Sequence, residues 1–204
     1  MPNISNQDSS TQAPSIQSKW NNRYQNSTDP GNACWVLENN LHLLPATGHS
    51  LDLACGLGAN ALRLAEQGLN SHGWDSSTIA LEKLSSFATQ RNVSVTTLLR
   101  DVEKSPPDNN SFDVIVVSQF LYRPILPELI NALKPGGLLF YQTFNQQKLT
   151  SDGPSHADFL LAPNELLHVL SPLELIFYRE DGHTGKLEQG LRNCSYFIGK
   201  RRYS

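Results

Sequence analysis

Apolar positions along the chain change their spacing several times, and each change predicts an element. Residues 1–18 hold almost no large apolar side chain and are rich in Ser, Asn and Gln. Such a stretch cannot bury enough surface to offset the entropy of ordering, so it reads as a disordered tail. From Lys19 the texture shifts to Trp20, Tyr24 and Trp35, then to apolar positions at Val36, Leu37, Leu41 and Leu44. This pattern predicts a short helix around the aromatics, a turn at Asp29-Pro30-Gly31 and a second helix over 32–44. Beyond His49, short apolar runs alternate with amphipathic stretches. Strands are predicted at 50–55, 70–74, 93–99, 112–118, 138–144, 173–178 and 194–199. Helices are predicted at 59–67, from the Ser76-Ser77 caps through Phe87, at 127–133 and at 163–170. The Lys134-Pro135-Gly136-Gly137 turn is expected to end the helix before it.

Strands alternating with helices predict a mostly parallel sheet with both faces covered. The Val114–Val117 centre suits a strand buried on both sides. The last two strands are joined by a turn-rich stretch without a crossover helix, which predicts an antiparallel pair and an antiparallel last strand.

At 204 residues the chain suits one domain. The charged fraction is 17% and the net charge −3, which argues against a nucleic-acid binder driven by a basic surface. Three cysteines without CxxC spacing exclude neither free thiols nor packing roles, but they do not suit a disulfide framework or a zinc knuckle. The six histidines form no HxxxH or HExxH pattern, so no metal is expected. No apolar run approaches the roughly 18 residues of a membrane span, and the first residues do not resemble a signal peptide. The expectation is a cytoplasmic protein with no membrane partner, monomeric or homodimeric. Lys200-Arg201-Arg202 reads as a solvated tail.

The chemistry concentrates at Leu51-Asp52-Leu53-Ala54-Cys55-Gly56-Leu57-Gly58-Ala59-Asn60, a strand entering a glycine turn and then a helix. Glycine lets the backbone approach a ligand closely, and the helix start attracts an anion. Gly56, Gly58 and Ala61 also fit GxGxxA, so a dinucleotide-dependent oxidoreductase is an alternative. Against it stands a series of acids at strand ends: Asp52, Asp75 and Asp101. Asp52 would repel a pyrophosphate. The three together suit a ligand with a positive centre, a ribose and an amino-bearing base.

Over roughly residues 20–200 the sequence resembles class I S-adenosylmethionine-dependent methyltransferases. The resemblance rests on LDLACGLGAN, GWDSS, LLRDVEKSP, SFDVIVVSQFLY and LKPGGLLFYQTF in that order. It is similar in particular to the small bacterial tellurite-resistance and thiopurine-methyltransferase-like group. Ala54 departs from the pattern, standing where the family most often has its first glycine. The resemblance implies a Rossmann-like, seven-stranded, mostly parallel sheet with helices on both faces. It implies a methyltransferase domain over 19–204, with 19–45 as a helical lid, and S-adenosyl-L-methionine as cofactor. It also implies roles. Gly56, Gly58 and Ala54 would line the methionine part, Asp52 would face the ammonium, and Arg23 would pair with the carboxylate. Asp75, flanked by Trp74 and Ser76, would hold the ribose. Asp101 and the Val102 amide would meet the adenine, and Ser118, Gln119 and Phe120 would lie beside the sulfonium. The acceptor would be a small molecule. Tyr122, His183 and Arg192 are candidates for serving it, with Tyr24, Arg123 and Phe144 nearby. A binding protein that keeps the pocket without turnover is the remaining alternative.

Overall fold

The Val114–Val117 run sits in the middle of the sheet, and its side chains alternate between two cores. Val114 and Val116 join one apolar cluster, while Ile115 and Val117 join another on the opposite face. Leu138 and Phe140 against Leu139 and Tyr141 repeat the alternation on the neighbouring strand. This is the period-two geometry of a strand buried on both sides.

The computed structural model describes residues 15–203. Its strands are β1 (His49–Leu53), β2 (Asn70–Asp75), β3 (Val95–Leu99), β4 (Phe112–Ser118), β5 (Leu133–Phe144), β6 (Glu174–Arg179) and β7 (Cys194–Lys200). Their order across the sheet is β3-β2-β1-β4-β5-β7-β6. The pairs from β3 to β5 are parallel, and β7 runs antiparallel to both β5 and β6. The expected sheet and its antiparallel last strand are therefore present, with β7 inserted inside the edge strand β6. The order reverses between β1 and β4, which places a topological switch point at the carboxyl ends of these two strands.

The helices are α1 (Ile16–Tyr24), α2 (Trp35–Glu38), α3 (Ala59–Glu66), α4 (Thr78–Gln90), α5 (Leu126–Ala132) and α6 (Glu165–Val169). Val36, Leu37 and Leu64 fill one side of the sheet, and Leu126, Leu129 and Leu166 fill the other. Ala61, Leu62, Leu84 and Ala88 join α3 to α4.

Five expectations are corrected. Residues 16–18, read as tail, form the first turn of α1, capped by Ser15 Oγ, which accepts the Ser18 N–H at 3.1 Å; the rest of the expected tail, residues 1–14, lies outside the described residues. The helix expected over 32–44 is only α2 followed by a 3₁₀ turn at Leu41–Leu43. Its elongation is stopped because the Asn39 and Asn40 side-chain amides donate to the carbonyls of Trp35 and Val36. The strand expected from Val93 begins at Val95. Lys134–Gly137, expected only as a helix stop, belongs to β5: the Gly136 N–H donates to the Arg201 carbonyl and the Arg201 N–H to the Gly137 carbonyl, both at 2.8 Å. Arg201, read as part of a solvated tail, donates to Asn110 Oδ1 and to the carbonyls of Asn131 and Leu133.

Candidate functional site

The loop after β1 begins in a left-handed conformation at Ala54, with φ 55°, and passes through Gly56 and Gly58 at φ 53° and 80°. Glycine adopts this region freely, whereas alanine holds it at a cost. Gln119, which follows β4, also has φ 53°. Two non-glycine residues with positive φ thus flank the switch point, where retained strain commonly marks function.

Two carboxylates are buried there. Asp52, 1% exposed, accepts from Asn60 Nδ2 and from the Ala61 N–H in the first turn of α3, both at 3.1 Å. Burial lifts its carboxyl from the ordinary 3.8 to about 7, against the opposing pull of those two hydrogen bonds. Asp75, 7% exposed, accepts the Gly56 N–H on one oxygen and the Ser77 N–H on the other, each at 2.8 Å. Burial raises its carboxyl too, while the backbone donors hold it down. Each carboxylate still has lone pairs to offer a ligand.

Asn60 ties the two sides of the switch point together. Its Nδ2 also donates to Ser118 Oγ at the end of β4 at 3.0 Å, and its Oδ1 accepts the Cys34 N–H at 2.8 Å. Gln142 Oε1 takes the neighbouring Val36 N–H at 3.1 Å. The start of α2 is therefore fastened over the ends of β1, β4 and β5. Sequence reasoning missed Asn60 and Gln142 as organisers, although Asn60 stands in the quoted glycine-loop motif.

Residues 51–137 match a family described as "Methyltransferase domain". The stretch from β1 into β5 is thus similar to a methyltransferase domain. It is 31% identical over 123 residues to the putative methyltransferase YqeM of Bacillus subtilis, covering 54% of this chain and 48% of that one. It is 28% identical over 103 residues to a ubiquinone biosynthesis O-methyltransferase of Rickettsia akari, covering 48% of this chain and 41% of that protein. The chain thus spans less than half the length of these two curated relatives. In structure it is similar to TehB from Haemophilus influenzae, with a TM-score of 0.66 at 21% identity over 91% of this chain and 67% of that one. The methyltransferase match implies S-adenosylmethionine as cofactor, and the residues present fit it: two buried carboxylates suit an ammonium and a pair of ribose hydroxyls better than a pyrophosphate.

The remaining expected cofactor contacts of the methyltransferase domain are spread around that centre. Ser76 is half-buried beside Asp75, and Val102 is buried. Asp101 is half-buried, accepts the Glu103 N–H at 3.2 Å and pairs with Lys104 at 2.7 Å, and this partner lowers its carboxyl. The Phe120 carbonyl accepts the Tyr141 hydroxyl at 2.8 Å, while Gln119 is exposed. Gly58 is the N-cap of α3, and a Cβ there would lie 2.2 Å from a Leu84 methyl carbon. A Cβ at Gly56 would lie 2.6 Å from the Tyr24 hydroxyl. Both positions thus meet the protein's own side chains closely, and their positive φ disfavours any larger residue. Burial raises the Tyr24 hydroxyl to about 12, with Asp75 adding to the shift.

Arg23, Arg192 and His183 make no hydrogen bond to Asp52 or Asp75. Arg23 is exposed on α1, with its guanidinium 6.0 Å from the Trp20 ring. Arg192 donates to the carbonyls of Asp181, Gly182, Lys186 and Gln189 and so staples the loop between β6 and β7. His183 is exposed in that same loop. Arg123 is likewise committed, to Glu165 and to the carbonyls of Asp158 and Leu160. Tyr122 is half-buried against the core, and Phe144, half-buried, ends β5. Burial holds the Cys55 thiol well above its ordinary value, which suits packing and not nucleophilic attack. Among the described residues no cluster of three or more His, Cys, Asp or Glu could hold a metal ion, and no helix is long and apolar enough to cross a membrane.

Proposed function

We propose that this protein transfers a methyl group from S-adenosylmethionine to a small-molecule acceptor. One observation carries the reading: Asp52 and Asp75 are buried on adjacent strands beside the switch point, each held by backbone N–H groups of the glycine loop or of the helix starts. Bound at that point, the cofactor would supply an electrophilic methyl on a sulfonium. Asp52 would then complement the ammonium, and Asp75 would accept from the ribose hydroxyls. Ser76, Asp101 and the Val102 amide would border the base. Ala54, Gly56 and Gly58 would shape the wall of the methionine part, and Ser118, Gln119 and Phe120 would lie near the sulfur. Arg23, on α1 beside Trp20, would pair with the ligand carboxylate.

Methyl transfer is an in-line displacement, so these residues would act chiefly by alignment and water exclusion. The segment 19–45 would serve as the lid over the strand ends. The chain inserts little bulk beyond β5: a single 3₁₀ turn, Ala157–Phe159, lies between β5 and α6, and Arg123 pins it. That economy favours a small acceptor. Tyr122 and Phe144 are the side chains best placed to border it, ahead of His183 and Arg192. Calorimetry checks the cofactor: S-adenosylhomocysteine should bind at micromolar affinity or better and NAD should not, and the reverse result would reject the reading. Turnover across thiols, phenols, amines and metalloid oxyanions would then identify the acceptor class; no turnover with any of them would leave a binding protein.

A further inference from the structure

Lys83 lies halfway along α4 and is half-buried. Its ammonium donates to the carbonyls of Tyr24 at 2.7 Å, Gln25 at 2.7 Å and Ser27 at 2.6 Å. An ammonium has three N–H donors, and all three are used here. The acceptors lie at and just beyond the last turn of α1, where helix carbonyls lack intrahelical partners and carry partial negative charge. One turn earlier, Asn21 makes the second attachment: its Oδ1 accepts from Ser77 Oγ at 2.7 Å and its Nδ2 donates to Thr78 Oγ1 at 3.3 Å.

Asn21 and Tyr24 are three residues apart and so share one face of α1. That face lies across the two residues whose N–H groups hold Asp75: Asn21 touches Ser77, and the Tyr24 hydroxyl rests on Gly56. Yet α1 contributes no fully buried residue. Its side-chain attachments to α4 are hydrogen bonds, so it can lift without exposing a fully buried side chain.

We propose that Lys83 is a positioning residue for the cofactor site: by fastening the end of α1 it keeps Tyr24 on the glycine loop beside Asp75, and release of this latch opens the way for the cofactor to enter and leave. This rests on the reading that Asp52 and Asp75 hold S-adenosylmethionine. Lys83 itself touches no ligand, so its effect belongs in affinity and exchange rate and not in the chemical step.

The test uses the full chain with Lys83→Met, which keeps the stem and removes the donors. S-adenosylhomocysteine affinity is read by calorimetry, and its dissociation by stopped-flow tryptophan fluorescence. The expected result is binding weakened on the order of tenfold, mostly through faster dissociation. The ligand-free melting temperature should be nearly unchanged, and Lys83→Arg should restore most of the affinity. Asn21→Ala, at the other attachment, should move dissociation in the same direction and serves if Lys83→Met does not fold. Wild-type affinity and dissociation in the variants, or a loss that follows melting temperature and is not rescued by Arg, overturns the latch alone. A wild-type chain that binds no S-adenosylhomocysteine overturns the functional reading and the latch with it.

Discussion

Asp52 is a carboxyl whose charge the fold resists. Burial raises it to about 7 from an ordinary 3.8. The folded chain therefore keeps a proton there that the unfolded chain has already lost across the window from about pH 4 to 7. Stability contributed by this group is present below that window and falls as pH rises through it. Asp52→Asn should flatten that slope, as measured by urea midpoints between pH 4.5 and 8. A bound ammonium reverses the preference in favour of the carboxylate. S-adenosylhomocysteine affinity should accordingly tighten from pH 6 to 8, with protons released near pH 6.5; calorimetry in buffers of different ionisation enthalpy counts them, and zero release would separate Asp52 from the ligand. Asp75→Ala should weaken the same binding by about 1.5–3 kcal/mol, the scale of hydrogen bonds involving a charged group. It should also lower the melting temperature, because the Gly56 and Ser77 N–H groups lose their acceptor. Ala54 holds a left-handed conformation that glycine adopts without strain. Ala54→Gly should therefore stabilise the chain by about 0.5–1 kcal/mol, read from denaturant midpoints.

Single polar side chains join helices and strands around the switch point. Asn60 alone links β1, β4 and the start of α2. Asn60→Ala should cost about 2–4 kcal/mol in urea denaturation, since it leaves buried polar groups unpaired. α1 shows the contrast between what local pattern reveals and what it hides. Its aromatic density marked the segment as ordered, but its start at Ile16 depends on the Ser15 cap, a signal lost within a Ser-rich stretch. Removal of residues 1–14 should leave cofactor affinity intact, whereas removal of residues 1–30 should abolish it while the sheet still folds. Normal binding by the shorter chain would make α1 mere packing.

The whole molecule places its site where the strand order reverses, so ligand binding and global stability are linked. S-adenosylhomocysteine at 100 times its dissociation constant should add about 2.7 kcal/mol. For a domain of this size that raises the melting temperature by roughly 5–10 °C, about 2–4 °C for each kcal/mol. Thermal denaturation with and without ligand, and with NAD as control, measures it. A shift with NAD alone would favour the oxidoreductase reading.

Strand positions, the two-sided burial of β4 and the acids at strand ends were legible in the amino-acid order, because side-chain period and glycine placement are local properties. The same locality explains the misses. Whether Asn32–Leu44 continues as a helix depends on the Asn39 and Asn40 amides turning back on its carbonyls. Arg192 is occupied by the carbonyls of its own loop, and Arg123 by Glu165 and the carbonyls of Asp158 and Leu160, which no local pattern signals. Lys83 reads as an ordinary helix charge until α1 is laid across α4. Composition and period specify which residues must be inside and which strands they form. The partners of Arg123 and Lys83 come from segments dozens of positions away, and these meet only in the folded chain.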